Sequence, residues 1–297
     1  MMKKILILGK QSPIAVAIYE FILRETDWKV NLELDNYDSI VTNGEIIPKL
    51  ILYDKKTLRK VVLEYGPNYI INCISFDDPD NCEHNKKEAW DFNVGTIEAL
   101  AKAAFMTESK LILFSTDNIY NGLNGPYNEE HLPDPANYFG KTKLGCENFC
   151  ISSNASFISV RIPEYYGNNN SIGSNIFYRL INKEHVELAV NSFTTPVLLD
   201  DIALAVIKMI DKERSGFFNL AGPDYISQYE YGMKIAEYLG LDKQLLEPYT
   251  YSPQKDKARM LLRGGLINLR TETDLNMKFV NLHSGLTTVR FQINYNS

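Results

Sequence analysis

Four short stretches dominated by apolar residues, Lys3–Leu8, Tyr69–Ile74, Lys110–Phe114 and Phe157–Ile162, constrain this chain more than any other feature. A strand with one face in water alternates polar and apolar residues. A strand apolar throughout must be covered on both faces, as in a parallel sheet flanked by helices. Helical patterns lie between the runs: apolar residues recur at 14, 18, 21 and 22 after the first, and at 58, 61, 62 and 65 within Lys55–Tyr65. Strand followed by helix, repeated, is the signature of an α/β protein. The chain has 297 residues, 45% of them hydrophobic, which suffices for one large core or two modest ones.

The first strand runs into Gly9-Lys10-Gln11-Ser12-Pro13-Ile14-Ala15 and then a helix. A strand, a tight turn and a helix form the entry to a dinucleotide site, with the helix N-terminus facing the pyrophosphate. Ser12 suits the N-cap and Pro13 the first helical position. A second strand over Lys29–Leu34 leads to Asp35, about twenty residues past the turn, where an acid bonds the adenosine ribose. Lys49–Tyr53 reads as a strand ending at Asp54, and Asn93-Val94-Gly95-Thr96 opens a helix that runs to Met106.

The central stretch begins with the strand Lys110–Phe114, ends in the paired hydroxyls Ser115 and Thr116, and crosses a Gly/Pro/Asn-rich loop. It re-enters a helix at Tyr138-Phe139-Gly140-Lys141-Thr142-Lys143. Its order, S-T-D then F-G-K-T-K, resembles the active-site segment of the extended short-chain dehydrogenase/reductases, and within them the dTDP-4-dehydrorhamnose reductases. Other matching stretches are Asn72-Cys73-Ile74-Ser75 at a strand end, Arg161 with Tyr166-Gly167, Thr195-Pro196 with Asp201-Ile202-Ala203, and Gly216 to Gly222. The resemblance covers nearly the whole chain.

The resemblance implies a Rossmann-like, doubly wound, mainly parallel sheet with a smaller C-terminal substrate lobe. The nucleotide-binding domain would take residues 1–162 plus 196–221, and the lobe 163–195 plus 222–297. It implies NAD or NADP as cofactor, held by Gly9, Lys10, Gln11, Ser12, Pro13, Ile14, Asp35, Asp54, Cys73, Ile74, Ser75, Asn93 and Lys143. A nucleotide sugar would be held by Thr116, Asp117 and Arg263, the arginine pairing a phosphate. The activity implied is reduction of a nucleotide-linked 4-keto-6-deoxy sugar. In such enzymes a tyrosine gives the proton, a lysine four residues on lowers its pKa, and a Ser/Thr hydroxyl holds the carbonyl oxygen. Ser115, Thr116, Phe139 and Lys143 take those positions here.

Two departures stand out. Phe139 occupies the tyrosine's position and has no proton to give, and Ser12 and Ala15 replace two glycines of the turn. Tyr138 is one residue early, about 100° round the helix, so it points away from Lys143. Tyr138, Tyr120 and Tyr127 are the candidate substitute donors. The alternative function is a catalytically silent or altered member that binds a nucleotide or nucleotide sugar, or regulates a partner enzyme.

Net charge is −6 with lysines spread out, which gives no footprint for nucleic acid or an anionic membrane. No apolar run reaches about 18 residues. Cys73, Cys82, Cys146 and Cys150 show neither zinc nor disulfide spacing and read as free thiols; the four histidines are scattered, and no metal site is expected. A cytoplasmic protein is expected, with the helix to Met106 packing on the sheet or forming a homodimer face.

Overall fold

In a computed structural model, residues 2–35, 37–42, 45–50, 54–167, 176–255 and 257–296 are described. Residues 51–53 of the expected strand at 49–53 lie outside them. The chain divides into two compact units. The first comprises Met1–Ser115, Asn137–Val160 and Val206–Phe217, and the second Thr116–Ala136, Arg161–Ala205 and Phe218–Ser297.

The apolar runs become strands β1 (Lys4–Leu8), β3 (Tyr69–Asn72), β4 (Lys110–Thr116) and β5 (Phe157–Ile162), joined by β2 (Lys29–Glu33) and β6 (Gly216–Asn219). These six make one sheet in the order β2-β1-β3-β4-β5-β6. Pairing is parallel between β1 and β2, β1 and β3, and β3 and β4, with Leu8 opposite Asn72 and Asn72 opposite Leu113. The order reverses between β1 and β3, and at such a switch point the carboxyl ends of an α/β sheet leave a crevice.

Helices α1 (Pro13–Glu25), α2 (Lys55–Tyr65), α3 (Pro79–His84), α4 (Lys86–Met106) and α5 (Tyr138–Ser152) belong to the first unit. Its core joins Leu6, Leu8 and Ile70 of the sheet to Leu58 and Val62 of α2 and to Ile97, Leu100 and Ala104 of α4, all with 4% exposure or less. Each buried leucine or isoleucine there stabilises the unit by about 1.5–3 kcal/mol. α4 begins at Lys86, seven residues before the expected start at Asn93. Lys86, Lys87, Glu88 and Ala89 are good helix formers, and the side chain of Asn93 bonds Phe76 and Thr142.

Tyr37–Thr42 and Glu45–Leu50 pair as an antiparallel hairpin, so the strand expected at 49–53 begins earlier, at Glu45. In the second unit a separate core gathers Tyr166, Phe177, Ile226, Tyr231, Ile235, Leu282 and Leu286. Gly285 packs there against the Tyr166 ring, and any Cβ at 285 would overlap the phenol oxygen. The helices α6 (Leu199–Asp211), α7 (Gln228–Leu239), α8 (Leu269–Leu275) and α9 (Leu282–Asn296) complete the labelled elements. Among the described residues no helix is long and apolar enough to cross a membrane.

Candidate active site

The turn after β1 closes through its main chain. Gly9 has φ +104, and its N–H donates to the carbonyls of Glu33 and Leu34 at 2.9 and 3.1 Å. Lys10 N donates to Leu34 O at 2.9 Å and Ser12 N to Gly9 O at 3.0 Å. Leu34 itself takes a left-handed φ of +61, unusual for a leucine, which carries its carbonyl to both amides. Ser12 stands at the N-cap and Pro13 at the first helical position, as the sequence indicates. The Ser12 hydroxyl makes no capping bond and instead bonds the thiol of Cys73. Lys10, Gln11 and Asp35 are exposed and Ile14 is buried. Ala15 is fully buried, its methyl accommodated where α1 meets the sheet. Pro13 has no N–H, so this helix end offers an anion one donor fewer.

Asp54 is taken up by its own helix. One carboxylate oxygen accepts from Lys56 N and Thr57 N at 2.8 and 2.9 Å and the other from the Thr57 hydroxyl at 2.8 Å. Those bonds, the Thr57 amide first, hold its pKa below the ordinary carboxylate value.

The polar centre of the first unit lies at the carboxyl ends of β3 and β4. Three buried side-chain atoms have no partner there: Asn72 Oδ1, Ser75 Oγ and Ser115 Oγ. Orphaned buried hydroxyls carry a cost of about 1–3 kcal/mol each that a hydroxyl-bearing ligand would relieve. Ile74, 4% exposed, lies between them in sequence as a bulky apolar wall.

Lys143 reaches this edge from α5. Its Nζ donates to Phe114 O at 3.1 Å, one residue before Ser115, and the side chain is buried. Burial pushes its pKa down, opposed by Cys146, Asp77, Cys82 and Cys73 around it. Phe139, one turn earlier on the same face, packs against Cys82 and Ala89, with its ring centroid 5.5 Å from the Lys143 ammonium. The position that would carry the phenol therefore holds a closed apolar ring beside the lysine. Tyr138 turns the other way: its ring lies 5.5 Å from Lys86 Nζ and its N–H bonds Glu83 at 2.7 Å.

Asn93 ties this edge together. Its Oδ1 accepts from Phe76 N at 2.8 Å, and its Nδ2 donates to Phe76 O at 2.9 Å and to the Thr142 hydroxyl at 2.8 Å. One side chain of α4 thus fixes the loop after β3 and the residue preceding Lys143. Asn137 caps α5 through a 2.9 Å bond from Gly140 N. All four cysteines are buried and free, and burial raises the Cys82, Cys146 and Cys150 thiols to about 12, beyond any nucleophilic role at neutral pH.

Thr116, Asp117 and Arg263 belong to the second unit. The Thr116 hydroxyl accepts from Asn118 N at 3.2 Å and Asn118 Nδ2 at 3.1 Å and donates to Asp117 at 3.2 Å, so of the two neighbouring hydroxyls the open one is Ser115. Asp117 accepts from Gly265 N at 2.9 Å, and burial raises its pKa despite that bond. Arg263 is exposed; burial raises the pKa of Tyr225, a ring stacked on Phe193 at 5.3 Å, and the Arg263 charge opposes that rise. The substitute phenols are committed: Tyr120 donates to Asn128 O at 3.0 Å, and Tyr127 donates to Asn121 while accepting from Leu123 N and Asn124 N. Among the described residues no group of three or more His, Cys, Asp or Glu is arranged to hold a metal ion.

The family model of the RmlD substrate binding domain matches residues 2–290. The chain belongs to this family. Its members among solved structures share the fold. A dTDP-4-dehydrorhamnose reductase from Bacillus anthracis, in complex with NADP, superposes with a TM-score of 0.85 at 19% identity, covering 98% of this chain and 100% of that one. The dTDP-4-dehydrorhamnose reductase of Clostridium acetobutylicum gives 0.83 at 23%, covering 98% and 99%. In sequence, the chain is 30% identical over 214 residues to methionine adenosyltransferase 2 subunit beta of Rattus norvegicus, which is 68% of this chain and 64% of that protein. It is 26% identical to the "Probable low-salt glycan biosynthesis reductase Agl14" of Haloferax volcanii over 65% of this chain and 67% of that one. The match thus spans about 64% of the length of the mammalian relative. The Rossmann-like α/β fold expected from the RmlD resemblance is the one observed.

Proposed function

We propose that this RmlD-family chain binds a nicotinamide dinucleotide and a nucleotide-linked keto sugar, and that Phe139 slows the reduction such a site would perform. The observation that carries the reading is the buried Lys143, held on Phe114 O beside a ring with no proton to donate. Lys143 and the orphaned hydroxyls of Ser75 and Ser115 fit a ribose or sugar hydroxyl. The turn from Gly9 to Ile14 would take the pyrophosphate with fewer N–H donors than a three-glycine turn, Asp35 the adenosine ribose, and Arg263 a sugar-nucleotide phosphate. When bound, the dinucleotide supplies the hydride; the chain supplies binding and orientation. Loss of a general acid typically costs 10²–10⁴-fold, so binding and turnover separate.

A second reading is a silent member that regulates a partner enzyme. The likeness to methionine adenosyltransferase 2 subunit beta, together with two departures in separate parts of the site, favours it. Calorimetric titration with NADH and NADPH, paired with keto-sugar turnover by the wild type and Phe139→Tyr, divides the readings. Binding with a gain of turnover on restoring the phenol supports the reductase site. Failure of both dinucleotides to bind sinks it and leaves the regulator.

A further inference from the structure

Several aromatic rings of the first unit carry a cation supplied by the chain itself. Lys3 Nζ lies 4.6 Å from the centre of the Trp28 ring, Lys4 Nζ 4.7 Å from that of Tyr65, and Lys86 Nζ 5.5 Å from that of Tyr138. Trp90 on α4, the second of the chain's two tryptophans, is 42% exposed, and among the described residues no cation lies over it. Beside it the exposed Asp91 carboxylate makes no hydrogen bond or ion pair among the described residues. A bare indole face and an open carboxylate are complementary to the same kind of group, an organic cation.

Both line a cleft of about 340 Å³ between the start of α2 and α4, with Val94 and Gly95 as its more buried part. Gly145 of α5 lets the indole lie close, since a Cβ there would come within 2.9 Å of Trp90 Cη2. Lys55 passes over Gly95, its Cε 3.9 Å from where a Cβ would stand, and its Nζ pairs with Glu98, whose other oxygen takes Lys102 Nζ at 2.8 Å. Asp54, on the α2 side, is bonded to Lys56 N and Thr57 N within its own helix and adds charge to the cleft. Three carboxylates therefore face one ammonium, and that ammonium is already held. Among the described residues the acids are not arranged to hold a metal ion.

We propose that this cleft binds a guanidinium group, stacked on Trp90 and paired with the Asp91 carboxylate. A flat guanidinium can lie on the indole face while its forked N–H donors reach a carboxylate, which a compact ammonium does less well. Lys55 illustrates the difference, since its point charge goes to Glu98 and leaves the ring bare. The volume is at the small end of the range for ligand pockets, about 300–1,000 Å³, which suits one planar group and its stem. With Asp54, Lys55, Trp90 and Asp91 all exposed, the rest of the ligand stays outside. Such a group is borne by an arginine on a partner protein or by a free alkylguanidine. Its binding here requires neither a dinucleotide nor turnover.

The test is an NMR titration of the ¹⁵N-labelled full chain. Acetyl-Gly-Arg-Gly-amide at millimolar concentrations should move the indole N–H resonance of Trp90, identified by its loss in Trp90→Leu, and leave that of Trp28 in place. The citrulline peptide, close in shape but uncharged, should not move it, and the lysine peptide should bind about fivefold more weakly. Followed at the Val94 and Gly95 amides, Trp90→Leu should weaken the arginine peptide by about fivefold. Asp91→Asn, at an exposed carboxylate with no partner to lose, should weaken it by about fivefold, with the melting temperature kept. Ethylguanidinium separates the two sources: tighter binding by the peptide assigns the cleft to an arginine on a partner, and equal binding assigns it to a free alkylguanidine. A Trp90 resonance indifferent to the arginine peptide overturns the proposal. So does an equal response to the citrulline peptide, or an arginine-peptide affinity unchanged by Asp91→Asn.

Discussion

At the turn after β1, Ser12 and Ala15 stand where the resemblance leads one to expect glycines, and at the start of α5 Phe139 stands where it leads one to expect tyrosine. The turn absorbs its changes: Gly9 keeps its positive φ, the Leu34 carbonyl meets two amides, and α1 starts on schedule at Pro13. The α5 edge also absorbs its change structurally, since Phe139 packs cleanly on Cys82 and Ala89. The difference lies in what each position supplies. The turn contributes main-chain shape, which several side chains can satisfy, whereas position 139 contributes a dissociable proton, which only particular side chains carry.

The sharpest way to break this comparison is Phe139→Tyr. Keto-sugar turnover should rise about 10²–10⁴-fold, equivalent to about 2.7–5.5 kcal/mol of barrier, with the melting temperature nearly unchanged. A gain below threefold would mean that the phenol was not the missing part. Next in size is Asn93→Ala, which leaves the Phe76 N–H without its partner and removes the amide donor to Phe76 O and to the Thr142 hydroxyl, the latter keeping its bond to Phe139 O. Stability in urea should fall by about 2–3 kcal/mol, and amide exchange at residues 76–78 should quicken.

Asp54→Ala should lower the melting temperature only where the carboxylate is ionised. Its folded pKa is depressed, so its stabilisation is present above the unfolded value of 3.8 and is lost as pH falls through the lower folded one. Wild type and variant should therefore converge in acid. A larger effect on dinucleotide affinity than on melting would mean that Asp54 touches the adenine as well as capping α2. The smallest effect belongs to the turn: Ser12→Gly should tighten dinucleotide binding by roughly threefold, under ~1 kcal/mol, and change stability by a few tenths of a kcal/mol. If Ser12→Gly outweighed Phe139→Tyr in turnover, the comparison would be inverted.

The sheet was legible because runs such as Ile5–Leu8 and Leu111–Leu113 are apolar on both faces, and only a covered strand tolerates that. Phe139 and Lys143 were legible as a pair because four residues separate them on one helix, a local relation. The start of α4 was not, since the matching stretch opens at Asn93, whose bonds to Phe76 and Thr142 join residues far apart in sequence. The hairpin from Tyr37 to Leu50 was missed because only its last residues resemble a strand read alone.

Lys143 makes its hydrogen bond to a main-chain carbonyl, so its anchorage does not require the partner it would assist in catalysis. Mutational drift at position 139 can therefore leave the lysine in place as an architectural bolt long after turnover has dwindled. Surveys that infer living enzymes from a retained lysine will count such proteins as active, and the aromatic residue four positions earlier is the better witness.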